Sequence, residues 1–178
     1  MYTGKNPTAI RSQQWLSEAL LSLMEEKQYA DISVKDICRR SDLSRQTFYQ
    51  MFDSKEELIR YTIQEKFRPL KTPPEQDTFR EMSEYFIECT AKNREFIRLI
   101  QKNHIGHLLA SEISQALGKV ADRLDPDREE KTKKVANAYI TAALTNSLLV
   151  WSQSDDLTEE ELSRLLSQII RGEYYKIF

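Results

Sequence analysis

The stretch SVKDICRRSDLSRQTFYQMFDSK, residues 33–55, decides the fold of this chain. It predicts two short helices joined by a tight turn, followed at once by the start of a third helix. Ser33 and Ser44 stand where a hydroxyl can cap the first turn of a helix, and Asp36, three residues after Ser33, completes a pattern like a capping box. The stretch therefore predicts a helix-turn-helix, a unit that places some side chains on base edges and others on phosphates.

Apolar residues recur at spacings of three and four on both sides of this segment, which is the pattern of amphipathic helices. Before it, the spacing predicts a helix over about residues 8–28, with Thr8 as its N-cap. After it, Ser54-Lys55-Glu56-Glu57 forms a second capping box. This box opens a fourth helix, which is expected to run to Phe67 and to be ended or disrupted by Pro69.

The rest of the chain also has helical spacing. Lys71-Thr72-Pro73-Pro74 cannot be helical and marks the connection between two regions. Later helical segments cover about residues 79–100 with a bend near Lys92-Asn93, then about 106–123, about 127–153, and from the Thr158 cap to about 171. Since no run of alternating residues demands a strand, the expected fold is all-α with about nine helices. A helix-turn-helix domain at 1–55 is linked by the helix 54–68 to a larger helical domain at 56–178.

The charge of the whole chain does not point to nucleic acid. Its 26 basic and 28 acidic side chains leave a formal net charge of −2. Any DNA footprint must therefore be local. Residues 33–45 carry four basic and two acidic side chains, a local surplus of two positive charges.

The two cysteines, Cys38 and Cys89, fall at apolar helical positions and have no paired or metal-binding spacing. This usage favours buried free thiols in a reducing compartment. No apolar run approaches the roughly 18 residues that cross a membrane, and the first residues lack the apolar core of an export signal. We therefore expect a cytoplasmic protein with no membrane partner.

The second helix of the motif carries the candidate base contacts. Arg45 and Gln46 lie in its first turn, where Arg suits a guanine edge and Gln an adenine edge. The candidate contacts to the sugar-phosphate chain are Lys35, Ser44, Thr47, Tyr49 and Lys55, the last at a helix N-terminus that also favours phosphate. Phe48 and Phe52 are expected to point into the core. The alternative is an ordinary three-helix bundle with a solvated polar face.

Roughly the first 55–60 residues resemble the N-terminal domain of the TetR/AcrR family of bacterial transcriptional regulators. The matching pieces are Ile32-Ser33-Val34-Lys35-Asp36-Ile37, Leu43-Ser44-Arg45, Thr47-Phe48-Tyr49, Phe52, and Ser54-Lys55-Glu56-Glu57-Leu58. The resemblance implies that Lys35, Arg45, Gln46, Thr47, Tyr49 and Lys55 occupy positions that contact DNA. Two departures stand out. Gln46 replaces a residue that is often small, and Asp42 replaces the usual Gly of the turn, although Asp tolerates the left-handed conformation better than most residues.

In the resembled family the C-terminal region binds an effector and forms the dimer. Residues 135–151 resemble the penultimate helix of that region, and residues 157–162 resemble the start of its last helix. Two such helices from each of two chains form a four-helix bundle. The interface residues predicted in this way are Ala138, Ala142, Leu149, Leu162, Leu166 and Ile169. The alternative is that these faces pack inside one subunit.

The candidate effector pocket consists of aromatic and apolar residues of the central helices. These are Phe67, Met82, Tyr85, Phe86, Cys89, Phe96, Ile100, His104, Leu108, Tyr139 and Trp151. The same stripe at helical spacing is also typical of an ordinary core. His104 and His107 lie three residues apart, but a metal site needs further ligands. We therefore read both as surface or helix-end residues and expect no metal and no cofactor.

The sequence contains no catalytic pattern, since a glycine-rich phosphate loop, a nucleophile elbow and an HExxH helix are all absent. The resemblance implies a homodimeric regulator, most often a repressor in that family, that binds a palindromic double-stranded operator and is released by an unknown small-molecule effector. A second hypothesis is a coactivator or protein-interaction module that acts mainly through a protein partner. A third is a helical enzyme or ligand carrier.

Overall fold

The computed structural model describes residues 4, 6–71, 85–86 and 88–170. None of these residues lies in a β-strand, which confirms the all-α prediction. The helices are α1 (Pro7–Glu26), α2 (Val34–Ser41), α3 (Arg45–Met51), α4 (Lys55–Lys66), α5 (Arg94–Lys102), α6 (Gly106–Leu124), α7 (Glu130–Gln153) and α8 (Glu159–Ile170). Two short 3-10 helices are η1 (Tyr29–Asp31) and η2 (Arg68–Lys71), and residues 85–86 and 88–91 are also helical. The predicted break near Lys92-Asn93 is confirmed, because a turn there precedes α5.

The caps predicted at Ser33 and Thr158 both form, each as a capping box with both of its hydrogen bonds. The Asp36 N–H donates to Ser33 Oγ at 3.1 Å, and the Ser33 N–H donates to Asp36 Oδ2 at 3.1 Å. At the start of α8, the Glu161 N–H donates to Thr158 Oγ1 at 3.2 Å and the Thr158 N–H donates to Glu161 Oε2 at 2.9 Å. Each box satisfies backbone donors that have no partner within the helix.

Several predicted helix ends differ from the observed ones by one to three residues, including the start of α1 and the end of α4. The helix α1 is capped by Asn6, whose Oδ1 accepts from the Thr8 N–H at 3.0 Å, rather than by Thr8. Pro7 explains the earlier start, because its fixed φ suits the first helical position and its missing N–H costs nothing there. The helix α4 ends at Lys66 instead of Phe67, and the chain passes through Pro69 as a 3-10 turn.

The capping box predicted at Ser54 forms in a shifted way. Ser54 Oγ accepts from the Glu57 N–H at 3.1 Å as expected. The Glu57 carboxylate, however, accepts from the Asp53 N–H at 2.7 Å, one residue before the predicted donor.

The chain divides into two compact units. The first unit contains the segments up to Lys66 and from Leu99 to Glu112, and the second contains Phe67–Arg98 and the segment from Ile113 onward. The units do not follow the predicted boundary at residue 55, because α4 and residues 99–112 lie with the helix-turn-helix. The assignment of functions to the domains stays a prediction.

The core of the first unit is built from the inner faces of α1 to α4. Its largest fully buried side chains include Leu16, Leu20, Met24, Ile37, Phe48, Phe52, Leu58, Ile59 and Ile63. Burying one such side chain contributes about 1.5–3 kcal/mol. The Phe52 ring lies 6.0 Å from that of Phe48 and 5.3 Å from that of Tyr61, measured between centroids. The predicted inward direction of Phe48 and Phe52 is confirmed.

The second unit is organised around Trp151 near the end of α7. This indole is fully buried, and its Nε1–H donates to the Leu157 carbonyl at 3.1 Å. The Arg94 guanidinium lies over the ring at 4.7 Å and donates to the carbonyls of Trp151 and Ser154. Arg98 donates to the Ser152 carbonyl at 2.8 Å. Two cations therefore cap the negative C-terminal end of α7.

Candidate nucleic-acid interface

The helix α3 has one buried side and one exposed side. Phe48 and Met51 are buried and fix the helix against the first unit. The opposite side presents the exposed residues Arg45, Gln46, Tyr49 and Gln50. This division turns long polar and aromatic side chains outward from a helix whose position is set by its core residues.

Gln50 was missed as a candidate contact. It follows Gln46 by four residues, so both lie on the same side of α3, and both are exposed. That spacing was readable in the sequence. The exposed side of α3 therefore carries two amides, each with the donor and acceptor pair that matches an adenine edge.

The turn before α3 forms without glycine, as predicted. Asp42 adopts the left-handed conformation, with φ 55° and ψ 34°. The N–H of Leu43 then donates to the Cys38 carbonyl at 3.0 Å. The turn is therefore closed by the backbone, and the Asp42 side chain stays exposed.

Ser44 caps α3, which confirms its predicted structural role. Its Oγ accepts from the Thr47 N–H at 2.9 Å and lies 2.9 Å from Thr47 Oγ1. Both hydroxyl groups are thus engaged in starting the helix. Contact of either hydroxyl with DNA stays a prediction.

The helix α2 is tied to the end of α1 through Asp36. The Asp36 carboxylate accepts from Lys27 Nζ at 2.9 Å, from Ser33 Oγ at 2.8 Å and from Arg39 at 3.0 Å. The hydrogen bonds from Lys27 and then from Ser33 hold the pKa of Asp36 well below its usual value. Lys35, the predicted phosphate contact, is exposed on the same helix.

Lys55 makes contacts that the sequence did not predict. Its Nζ donates to the carbonyls of Tyr29 at 2.6 Å, Ile32 at 2.7 Å and Ala30 at 3.4 Å, and lies 4.3 Å from the centre of the Tyr29 ring. Burial lowers the pKa of Lys55. An ammonium has three donors, so the carbonyls around η1 engage all of them. The predicted phosphate contact of Lys55 stays a prediction and requires one of these bonds to be released.

Asn103, between α5 and α6, holds the other side of the same segment. Its Oδ1 accepts from the Tyr29 N–H at 2.6 Å, and its Nδ2 donates to the carbonyls of Met24 at 3.2 Å and Leu99 at 2.9 Å. The side chain is only 5% exposed. The segment that joins α1 to α2 is therefore fixed from one side by Asn103 and from the other by Lys55.

Residues 16–62, which run from the middle of α1 into α4, match the family model described as bacterial regulatory proteins, tetR family. Residues 16–62 therefore form a TetR-family domain. Two curated relatives match about a third of the chain. The HTH-type transcriptional regulator YxbF of Bacillus subtilis is 43% identical over 56 residues, and the HTH-type dhaKLM operon transcriptional activator DhaS of Lactococcus lactis is 36% identical over 62 residues. These matches take in 31% and 35% of this chain but only 15% and 33% of the two relatives.

Solved structures share the TetR-like fold along nearly the whole chain. The crystal structure of Lin0861 from Listeria innocua has a TM-score of 0.78 at 18% identity and covers 96% of this chain and 95% of its own. A TetR transcriptional regulator from Streptococcus agalactiae has a TM-score of 0.63 at 19% identity, covering 89% and 92%. The dihydroxyacetone kinase operon activator DhaS has a TM-score of 0.58 at 22% identity, covering 94% and 97%. At these identities the likeness shows the fold alone.

The matches to the regulatory-protein family model and to transcriptional regulators bear out the prediction that the chain is not an enzyme. Within the described part of the chain, no group of three or more His, Cys, Asp or Glu side chains is placed to hold a metal ion. A search of the same residues finds no helix with the length and apolar character to cross a membrane.

The residues predicted to line an effector pocket have different environments. Tyr139 is 63% exposed on α7, and His104 is exposed in a left-handed conformation after α5. A ligand role for these two residues stays a prediction. His104 and His107 are both exposed, as expected for helix-end residues.

The other predicted pocket residues range from buried to partly exposed. Phe67, Phe96, Ile100, Leu108 and Trp151 are buried, and Tyr85, Phe86 and Cys89 are partly exposed. The rings of Phe67 and Phe96 lie 6.1 Å apart. Met82 lies outside the described residues. A ligand role for these residues stays a prediction.

The residues of the predicted dimer interface differ in their exposure, and their contact with a partner stays a prediction. Leu162 and Leu166 are buried within the chain. The exposed side of α7 carries Ala138 and Ala142 and, unpredicted, Val135 (72% exposed), Tyr139 and Val150 (70% exposed). Leu149 is half-buried, and the Ile169 side chain lies outside the described part of the chain.

Proposed function

We propose that this chain is a TetR-family transcriptional regulator that binds a two-fold symmetric site in double-stranded DNA as a homodimer. One observation carries the proposal. The buried Phe48 and Met51 hold α3 in place, while its opposite side presents an uninterrupted set of exposed polar and aromatic side chains. We also propose that it acts in the cytoplasm, where a bacterial chromosome lies.

The exposed residues of α3 divide by their chemistry. Arg45 is suited to the paired acceptors of guanine, and Gln46 and Gln50 to adenine. Tyr49 and Lys35 are suited to phosphate, which fixes register and orientation without reading sequence. The negative net charge of the whole chain makes this local set of residues the source of DNA affinity.

The homodimer is proposed from the exposed apolar side of α7. Val135, Tyr139 and Val150 are large apolar side chains that are each more than half exposed. The small residues Ala138 and Ala142 lie on the same side and allow a second helix to approach closely. Two copies joined there present two α3 helices, which read half-sites centred about 34–36 Å apart when they enter successive major grooves.

Regulation by a small-molecule effector is proposed to act through α4. Its first residue, Lys55, holds the carbonyls around η1, and Arg60 one turn later donates to Ser111 at 3.3 Å and lies 3.9 Å from the Glu112 carboxylate. A shift of α4 therefore moves groups that fix the helix-turn-helix. The effector must bind one of the two arrangements more tightly than the other. We propose that the chain is a repressor; activation, for which the relative DhaS is named, is the competing proposal.

The experiment is selection of bound duplexes from a random double-stranded DNA library with the full chain. We expect enrichment of a palindrome whose half-sites are about 10 base pairs apart. Affinity for the selected site should fall steeply as salt rises, because neutralised phosphates release counterions. Arg128→Ala, which removes an exposed charge outside the helix-turn-helix, is the matched control and should bind normally. Failure to enrich any duplex would favour the protein-interaction module instead.

A further inference from the structure

A groove lies beside the helix-turn-helix, within the first unit. Its volume is about 460 Å³. It is lined by Trp15, Glu18, Ala19 and Ser22 of α1 and by residues 40–43, which form the end of α2 and the turn. We call it the turn groove. Its volume falls within the roughly 300–1,000 Å³ of sites that hold small ligands, so a long side chain fits there.

The turn groove exposes a large aromatic side chain beside the motif. Trp15 is 45% exposed, although Leu16 and Ala19 of the same helix are buried. Leu43 adds half-buried apolar surface from the turn. Tryptophan is enriched among the residues that dominate the energy of protein interfaces, where it accepts arginine and aromatic partners.

The charges around Trp15 favour a cation. Glu18 and Asp42 are exposed carboxylates that line the groove. Arg40 does not neutralise them, because its guanidinium lies 2.8 Å from the Glu26 carboxylate and donates to Ser22 Oγ at 2.5 Å. The groove also borders the C-terminal end of α2, where the helix dipole is negative.

A cation over an indole face is the strongest of the common cation–π pairs, and flanking carboxylates add to it. A phosphate backbone is disfavoured at the same place, because two carboxylates would repel it. We propose that the turn groove docks a basic segment of a partner protein, with an arginine or lysine side chain over Trp15 between Glu18 and Asp42. This function is separate from DNA binding by α3.

The probe is a capped tetra-arginine peptide, and tetra-citrulline is the uncharged control of similar shape. Binding to the full chain is followed by the indole N–H signals in NMR, with Trp15→Phe identifying the signal of Trp15. We expect saturable movement of the Trp15 signal by tetra-arginine only. The signal of buried Trp151 should stay in place.

Affinities are measured by anisotropy of the labelled peptide. Glu18→Gln and Asp42→Asn should each weaken binding about two- to five-fold, as expected for exposed charge pairs. Asn also tolerates the left-handed conformation at position 42, so the turn is preserved. Asp53→Asn, which removes an exposed carboxylate outside the groove, should bind the peptide normally. Glu18→Gln should leave binding to the selected duplex unchanged.

Several results would overturn the proposal. One is a Trp15 signal that tetra-arginine does not move. Another is tetra-citrulline binding as tightly as tetra-arginine, or both carboxylate variants binding tetra-arginine as tightly as the unaltered chain does. N-acetylarginine amide binding as tightly as the peptide would make the groove a site for a small cation. Movement of the Trp15 signal with protein concentration alone would assign the groove to a second copy, and displacement of the peptide by duplex DNA would assign it to nucleic acid.

Discussion

Replacing Asn103 with alanine tests the side-chain hydrogen bonds by which this residue, just before α6, binds the backbone of Tyr29 and Met24. Truncation removes the acceptor of the Tyr29 N–H and the side-chain donor to the Met24 carbonyl. The bond to the Leu99 carbonyl matters less, because that oxygen also accepts from the Asn103 N–H at 3.1 Å. Two buried or half-buried backbone groups therefore lose a partner.

Each unsatisfied group costs about 1–3 kcal/mol. Water can reach the Tyr29 N–H in part once the amide is gone, so we take the lower half of that range for each group. The expected loss in the free energy of unfolding is about 2–4 kcal/mol, a large share of the roughly 5–15 kcal/mol typical of a domain.

The assay is urea unfolding of the full chain followed by circular dichroism, together with hydrogen exchange at the Tyr29 amide. We expect Asn103→Ala to lower the midpoint and to remove protection at that amide. The matched control is Lys102→Ala, which removes an exposed side-chain bond to the Glu25 carbonyl and should cost less than about 0.5 kcal/mol. An Asn103→Ala loss below about 0.5 kcal/mol at an unchanged slope, with Tyr29 still protected, refutes the reasoning.

Three further predictions follow from the geometry. Asp42→Gly should raise the free energy of unfolding by up to about 1 kcal/mol in urea, because glycine adopts the observed φ of 55° without strain; a loss of stability would contradict this. Because the pKa of Asp36 is lowered in the folded chain, its carboxylate stabilises the fold above the ordinary Asp pKa of about 3.9, and this stabilisation is lost as pH falls through the lower folded value. Lys27→Met should therefore lower the free energy of unfolding at pH 7 and make its decline on acidification shallower. An unchanged pH profile would contradict the role given to the Lys27–Asp36 pair. Tyr139→Glu should convert a dimer to a monomer in sedimentation velocity, whereas Glu129→Gln, at the start of the same helix, should not; a dimer that survives Tyr139→Glu excludes the exposed side of α7.

The features predictable from sequence are those set by neighbours along the chain. Ser33, Ser44 and Thr158 cap their helices because each hydroxyl needs only an N–H three residues later. The turn at Asp42 was predictable for the same reason, since its conformation depends on the residue itself. The core positions Phe48 and Phe52 follow from helical spacing.

The features that were missed depend on partners far along the chain. Asn103 bonds to Tyr29, 74 residues earlier, and an isolated Asn between helices carries no signal of this. Lys55 was assigned to phosphate because it lies at a helix start, but in the structure its ammonium donates to carbonyls in and beside η1. In the last two helices apolar and small residues occur on several sides, so spacing alone did not show that Leu162 is buried and that Tyr139 is exposed.

DNA reading by the exposed side of α3 is tested by measuring how tightly Arg45→Ala binds the selected duplex. Fluorescence anisotropy at fixed salt should show binding about 5- to 150-fold weaker than that of the unaltered chain, as expected for loss of a bidentate base contact. Discrimination should relax at one position of each half-site. Tyr49→Phe should weaken binding to every duplex, and the factor should be about the same for each sequence. Unchanged affinity and unchanged sequence preference in both variants would contradict the account.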